Sequence, residues 1–134
     1  MIAISHTTDP ADIPWLCQQL RATYWGQWLN DEQIRKALDR SICVWAHSID
    51  GAHGTPVGFM RVVTDGAIFS SITDCFVVRE WQRQGIGSKL LARALSHPEI
   101  APTICILATR DAEKFYERFN FRRQLHGVMK RDPA

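Results

Sequence analysis

The stretch Ile72-Thr73-Asp74-Cys75-Phe76-Val77-Val78, then Gln82-Arg83-Gln84-Gly85-Ile86-Gly87, then Ser88-Lys89-Leu90-Leu91-Ala92-Arg93-Ala94-Leu95 decides the fold. Its first part is an apolar run that reads as a buried strand. Its last part puts Leu90, Leu91, Ala94 and Leu95 on one helical stripe. Between them lies a glycine-containing turn. Such a turn, opening a helix, presents unpaired backbone N–H groups and the positive end of a helix dipole, a ready site for phosphate or pyrophosphate. The loop therefore points to a phosphorylated cofactor.

Spacing excludes two familiar phosphate motifs. A P-loop needs G-x-x-x-x-G-K-S/T, but Ser88 precedes Lys89 and no glycine lies five residues before Gly87. A dinucleotide fingerprint needs a third glycine where Leu90 stands. What remains is R/Q-x-x-G-x-G/A, carried by Gln82, Gly85 and Gly87. A second segment, Leu107-Ala108-Thr109-Arg110-Asp111-Ala112-Glu113-Lys114-Phe115-Tyr116-Glu117-Arg118-Phe119-Asn120-Phe121, fits A-x-x-F-Y-x-x-x-G-F, with room for one helix and one strand between the two. Together, in this order, the motifs resemble motifs A and B of the GNAT family of N-acetyltransferases, over roughly residues 57 to 129.

Working outward, the chain has 134 residues, which fits a single domain spanning 1–134 with one core. Hydrophobic content of 46% and charged content of 22% are ordinary for a globular protein. No apolar run approaches the ~20 residues of a membrane helix. The N-terminus lacks a basic region followed by a long apolar core, so no secretory signal is expected. Cys17, Cys43, Cys75 and Cys105 are widely spaced beside apolar segments. They read as reduced core thiols of a cytoplasmic protein, with no metal site. The net charge of +2 does not argue for nucleic acid. Positive charge does cluster around the glycine loop (Arg79, Arg83, Lys89, Arg93) and after motif B (Arg118, Arg122, Arg123), as a rim for an anionic ligand.

The coarse pattern reads as follows. Ile2 to His6 is a strand. A helix opens at Asp9-Pro10 and runs to about Thr23, with Pro14 a point of interruption, and a second, capped by Asn30 or Asp31, runs to about Arg40. Strands are expected at 42–49, 56–64 and 67–78, separated by turns at Asp50-Gly51-Ala52-His53-Gly54 and Asp65-Gly66. Helix 85–96, strand 103–108, helix 111–119 and a final strand from Arg122 to Met129 complete the order β-α-α-β-β-β-α-β-α-β. Sequential strands joined by tight turns should be antiparallel. The β-α-β unit around the glycine loop should pair its strands in parallel. The fold class is α/β, a mixed sheet with helices on both faces, which matches the GNAT fold.

The resemblance implies a function and a site. In the family the strand before the loop and the strand after its helix splay apart, and the pantetheine arm of acetyl-CoA lies between them. Here the arm would pair with backbone of Phe76, Val77 and Val78. The pyrophosphate would rest on N–H groups of Gln84, Gly85, Ile86, Gly87 and Ser88, with Gln82 and Arg83 lining the loop. Thr109 and Phe115 join the cofactor contacts. Tyr116 occupies the family's usual position for the general acid that protonates the departing thiolate. Asp74 is the candidate base, because a carboxylate inside an apolar strand needs a reason to be there; bonding to a neighbouring side chain, or exposure on the sheet surface, is the alternative. His47, His53 and His126 are weaker candidates, and Glu80 is expected to face solvent. Tyr24, Trp25 and Trp28 fall where the lid of the acceptor pocket should be, and Trp15 should pack a helix.

Several positions depart from the family pattern. Arg83 replaces a common glycine, Gln82 a common arginine, Arg79 a frequent proline and Thr109 an asparagine. Asn120 replaces the glycine of G-F, and asparagine is the next best residue for a left-handed helix cap. The implied activity is transfer of acetyl from acetyl-CoA, as co-substrate, to a primary amine by direct attack. The small size mildly favours a small-molecule acceptor. Dimers are common in the family, so a homodimer is open. An acyl-CoA-binding domain without turnover and a nucleic-acid-associated module are the competing readings, the latter resting only on the basic rim.

Overall fold

A computed structural model describes residues 1–50, 53–125 and 127–133. Its elements are β1 (Ile2–Ser5), α1 (Ile13–Arg21), α2 (Asp31–Asp39), β2 (Ile42–Asp50), β3 (His53–Thr64), β4 (Phe69–Val77), α3 (Ile86–Ser96), β5 (Ile104–Ile106) and α4 (Glu113–Glu117). A short 3-10 turn, Pro10–Asp12, precedes α1, so the proline pair divides the first expected helix in two. Asn30 caps α2 with a capping box: its side chain accepts from the Gln33 N–H while the Gln33 side chain accepts from the Asn30 N–H. Of the expected turn at 50–54, Gly51 and Ala52 lie outside the described residues, and His53 and Gly54 already belong to β3.

The five strands form one sheet in the order β1-β2-β3-β4-β5. The first three pairings are antiparallel and β4–β5 is parallel. This is the mixed sheet expected from the pattern. The expected last strand is not formed: the described residues of 122–129 are irregular, and Leu125, Val128 and Met129 are 99%, 85% and 96% exposed. β5, only three residues long, offers little ladder for such a strand to extend.

Each face of the sheet carries its own core. On one, α3 packs across β1–β4 and buries Ile86, Leu90, Leu91 and Ala94 against Val44, Ala46, Met60 and Val62. On the other, Leu16, Cys17 and Leu20 of α1 and Ile34 and Leu38 of α2 meet Cys43, Trp45 and Phe59. Trp15 packs here too, its ring 5.9 Å from that of Phe76. The alternation of neighbours such as Val44 and Trp45 between the two cores is the period-2 pattern of a strand buried on both sides.

Two bulges adjust that alternation. Ala46 pairs with Gly58 but His47 with Pro56, leaving Val57 unpaired and turned into the α3 core. Arg61 pairs with Asp74 but Val62 with Ile72, leaving Thr73 as the extra residue. A bulge shifts the facing of everything beyond it by one. Ile72 and Cys75 therefore share the α3 face, while Asp74 and Phe76 turn to the α1–α2 side.

Candidate active site

The turn from β4 into α3 forms a cradle. Arg83 (φ 64°) and Gly85 (φ 78°) both adopt left-handed backbone. Gly85 is the N-cap of α3, and no side chain caps the helix. Its first-turn N–H groups are therefore open to an acceptor from outside. A Cβ on Gly85 would meet nothing within 4 Å, so protein packing does not demand the glycine; the φ does, and open space lies in front of it. A groove of about 220 Å³ runs here, lined by Val77, Trp81, Gln82, Arg83, Gly85, Ile86, Gly87, Ser88, Phe115 and Arg118. Gln84 is exposed on the same turn.

Strand β4 leaves β5 early. The parallel pairing covers only Phe69–Ser71 against Ile104–Ile106. Beyond Ser71 the strands part around a cleft of about 720 Å³. Ile72, Thr73 and Cys75 line it from β4, Leu107, Ala108, Thr109 and Asp111 from the segment after β5, Tyr116 from α4, and Tyr24 and Trp25 from the loop after α1. Along β4, Cys75 lines the cleft and Val77, two residues on, lines the loop groove. Along α4, the adjacent Phe115 and Tyr116 serve one compartment each.

Hydrogen bonding refines which backbone groups face this gap. The Val78 N–H donates to the Val57 carbonyl at 2.9 Å. Alternation along an antiparallel ladder then directs Phe76 and Val78 to β3, and Cys75 and Val77 to the gap. Of the three residues expected to pair with the pantetheine arm, Val77 alone presents its backbone there. Its carbonyl already accepts from the Gln82 side chain at 2.9 Å, so Gln82 ties the loop to the strand.

Tyr116 is buried, with 8% exposure. Burial holds its phenol above the ordinary value of 10.0, and the neighbouring Cys75 thiol adds to this. Burial likewise pushes the Cys75 thiol up to about 11. Both groups therefore keep their protons at neutral pH.

Asp74 is 3% exposed, and both its oxygens are taken. Arg61 Nε donates to Oδ2 at 2.7 Å and Trp25 Nε1 to Oδ1 at 2.8 Å. Arg61 also reaches Ser41 Oγ at 3.1 Å. The reason for a carboxylate in this strand is thus an ion pair and an indole anchor. Trp25, so held, lines the cleft beside Tyr24, whose ring lies 3.6 Å under the Arg110 guanidinium. Trp28 is 82% exposed and lines neither groove nor cleft. Thr109 lines the cleft while its hydroxyl accepts from the Ala112 N–H at 3.0 Å, opening α4. Of the weaker candidates, His47 is bonded to Asp12 at 2.7 Å, Glu80 is exposed, and His126 lies outside the described residues. Among the described residues no group of three or more His, Cys, Asp or Glu side chains is placed to hold a metal ion.

A splayed β4–β5 pair with an uncapped helix at its head is the geometry the motifs implied, and the family model of the acetyltransferase (GNAT) domain matches residues 39–123. The chain belongs to the GNAT acetyltransferase family. GNAT enzymes transfer acyl groups from acyl-CoA. A GNAT acetyltransferase from Xanthomonas campestris is 28% identical, with a TM-score of 0.85 over 99% of this chain and 94% of that one. A second acetyltransferase, from Deinococcus radiodurans, is 27% identical, with a TM-score of 0.72 over 99% and 94%. A GNAT acetyltransferase from Streptococcus pneumoniae is 28% identical, with a TM-score of 0.72 over 100% and 98%. No curated protein matches the sequence.

Within this GNAT frame, sequence reasoning missed Cys75, Arg110, Asp111 and Lys130 in and around the cleft, and Trp81 in the groove. Cys75 had a signal, since it adjoins Phe76 on the strand that lines the site. Arg110 and Asp111 stand just before Ala112, the first fixed position of the motif B pattern, where no pattern constrains them.

Proposed function

We propose that this chain transfers the acetyl group of acetyl-CoA to a primary amine of a small molecule, with Tyr116 as proton donor to the departing sulfur. The observation that carries the reading is that groove and cleft follow one another along β4, with uncapped helix N–H groups beside the first and Tyr116 on the wall of the second. An extended ligand with a pyrophosphate at one end and a reactive acyl group at the other fits that course. Gly85 to Ser88 would receive the pyrophosphate, with Arg83 and Arg118 beside it. Val77 and Cys75 backbone would meet the arm. When bound, acetyl-CoA supplies the activated acyl carbon.

The phenol's raised pKa defines how Tyr116 works. It holds its proton at neutral pH and donates a strong hydrogen bond wherever negative charge develops on sulfur in this semi-enclosed site. Asp74, with both oxygens engaged, serves as the anchor of Arg61 and Trp25 and not as the base. Asp111 is the carboxylate on the cleft wall open to an incoming ammonium, and a proton leaves through it or through water. Tyr24 and Trp25 supply aromatic faces for an apolar or cationic acceptor. The cleft opens to solvent, which favours turnover over binding alone.

The test is a screen of primary amines with acetyl-CoA, following release of the free thiol. Tyr116→Phe should lower kcat about 10²-fold while acetyl-CoA affinity stays near wild type. Full activity in Tyr116→Phe would remove the phenol from the mechanism.

A further inference from the structure

The cleft that should admit a foreign amine already has one of the chain's own at its rim. Lys130 lines it together with Tyr24, Trp25 and Tyr116. The segment carrying Lys130 leaves the core at Phe121, whose ring packs 5.6 Å from that of Tyr116. Arg123 then pairs with Glu113 of α4 at 2.7 Å. Beyond that point Leu125, Val128 and Met129 are exposed, so no apolar burial holds those side chains down. The Lys130 ammonium meets Asp132 at 2.9 Å, with side chains 75% and 74% exposed. An ion pair so exposed holds its partners weakly and releases its amine readily.

We propose that Lys130 is an intramolecular acyl acceptor, making the mouth of the cleft a self-acetylation site. The proposal rests on the acetyl-CoA reading above. The Lys130 ammonium first gives one proton to water. Its neutral Nζ then bonds to the acyl carbon of the thioester as the carbon–sulfur bond breaks. The electron pair of that bond leaves on sulfur, which takes a proton from Tyr116; the attacking nitrogen then gives up its second proton, which returns through water to the phenolate and leaves a neutral amide. The products are N-acetyl-Lys130 and free CoA, and no oxidant or reductant is consumed. Lys130 is joined to the cleft through its own chain, and a group so tethered acts at an effective concentration of about millimolar. That is comparable with the ~1 μM–1 mM KM range of free substrates, so the tethered amine competes with them. Acetylation would abolish the charge and its pairing with Asp132.

The experiment incubates the purified full chain with acetyl-CoA and maps acetyl-lysine by mass spectrometry. Lys36, Lys89 and Lys114 are internal controls. Label should accumulate on Lys130 about tenfold or more faster than on these, at a rate unchanged by dilution of the protein. Tyr116→Phe should slow the Lys130 label and leave the other three at background. Lys130→Arg should remove that label alone. An amine screen and an acetyl-CoA titration run on the same samples separate the two ideas. Acetyl transfer to an added amine, with Lys130 labelled no faster than the controls, overturns this proposal and leaves the reading of the cleft intact. A rate that rises with protein concentration overturns the intramolecular route. Absence of acetyl-CoA binding overturns both.

Discussion

A carboxylate in an apolar strand must find partners, and Asp74 has two in Arg61 and Trp25. Removing its charge leaves a largely buried guanidinium uncompensated, a change that costs about 3–5 kcal/mol. Asp74→Asn should therefore lower the denaturant midpoint strongly, while the folded fraction keeps the wild-type pH–rate profile. A stable Asp74→Asn protein that loses about 10²-fold or more in kcat, together with one limb of that profile, would restore Asp74 as the base. Gly85 and Tyr116 were legible in the sequence because their spacing to strand and helix is local. The Trp25–Asp74 bond was not, since it joins a loop to a strand 49 residues away. The Arg110–Tyr24 stack was hidden for the same reason.

At the scale of elements, helices and strands up to α4 were readable from period and caps, their ends shifted by a few residues, whereas the strand expected over 122–129 is not formed. The bulges at Val57 and Thr73 were not readable, because valine and threonine are ordinary strand residues. Yet the Thr73 bulge decides that Cys75 faces α3 while Asp74 faces α1 and α2, and so composes the site. The end of α4 was readable: Asn120 takes φ 69°, the left-handed cap that its chemistry allows. Asn120→Gly should be close to neutral. Asn120→Val, β-branched in left-handed backbone, should cost about 1–2 kcal/mol in guanidinium unfolding. Equal stability of the two variants would show that the cap relaxes away from this conformation.

For the molecule as a whole, two cores on one sheet leave several thiols inside. Burial pushes Cys43 and Cys75 from the ordinary 9.0 up to about 11, and holds Tyr116 above 10.0. Below pH 9 native and unfolded chains hold these protons equally; between about 9 and 11 the unfolded chain releases the thiol protons, and above about 10 the phenol proton, while the native one keeps them. Stability is therefore complete below pH 9 and falls as pH climbs through that window, by up to about 1.4 kcal/mol per group for each pH unit. Guanidinium unfolding under reducing conditions at about pH 8 and about pH 10.5 should show the drop, reduced in Cys75→Ala. A flat profile would mean that these groups are solvated in the native state.

The proposed function requires one ligand lying along β4, from the uncapped helix to the buried phenol. Calorimetric titration of acetyl-CoA into the wild-type protein and into Gly85→Glu tests this most directly. The glutamate would occupy the open space before the α3 N-terminus with negative charge and strain a left-handed position. Micromolar binding to the wild type, abolished by the substitution, is the expected result. No binding to the wild type, or equal binding to both, would contradict it and reduce the glycine loop to a strand-to-helix turn.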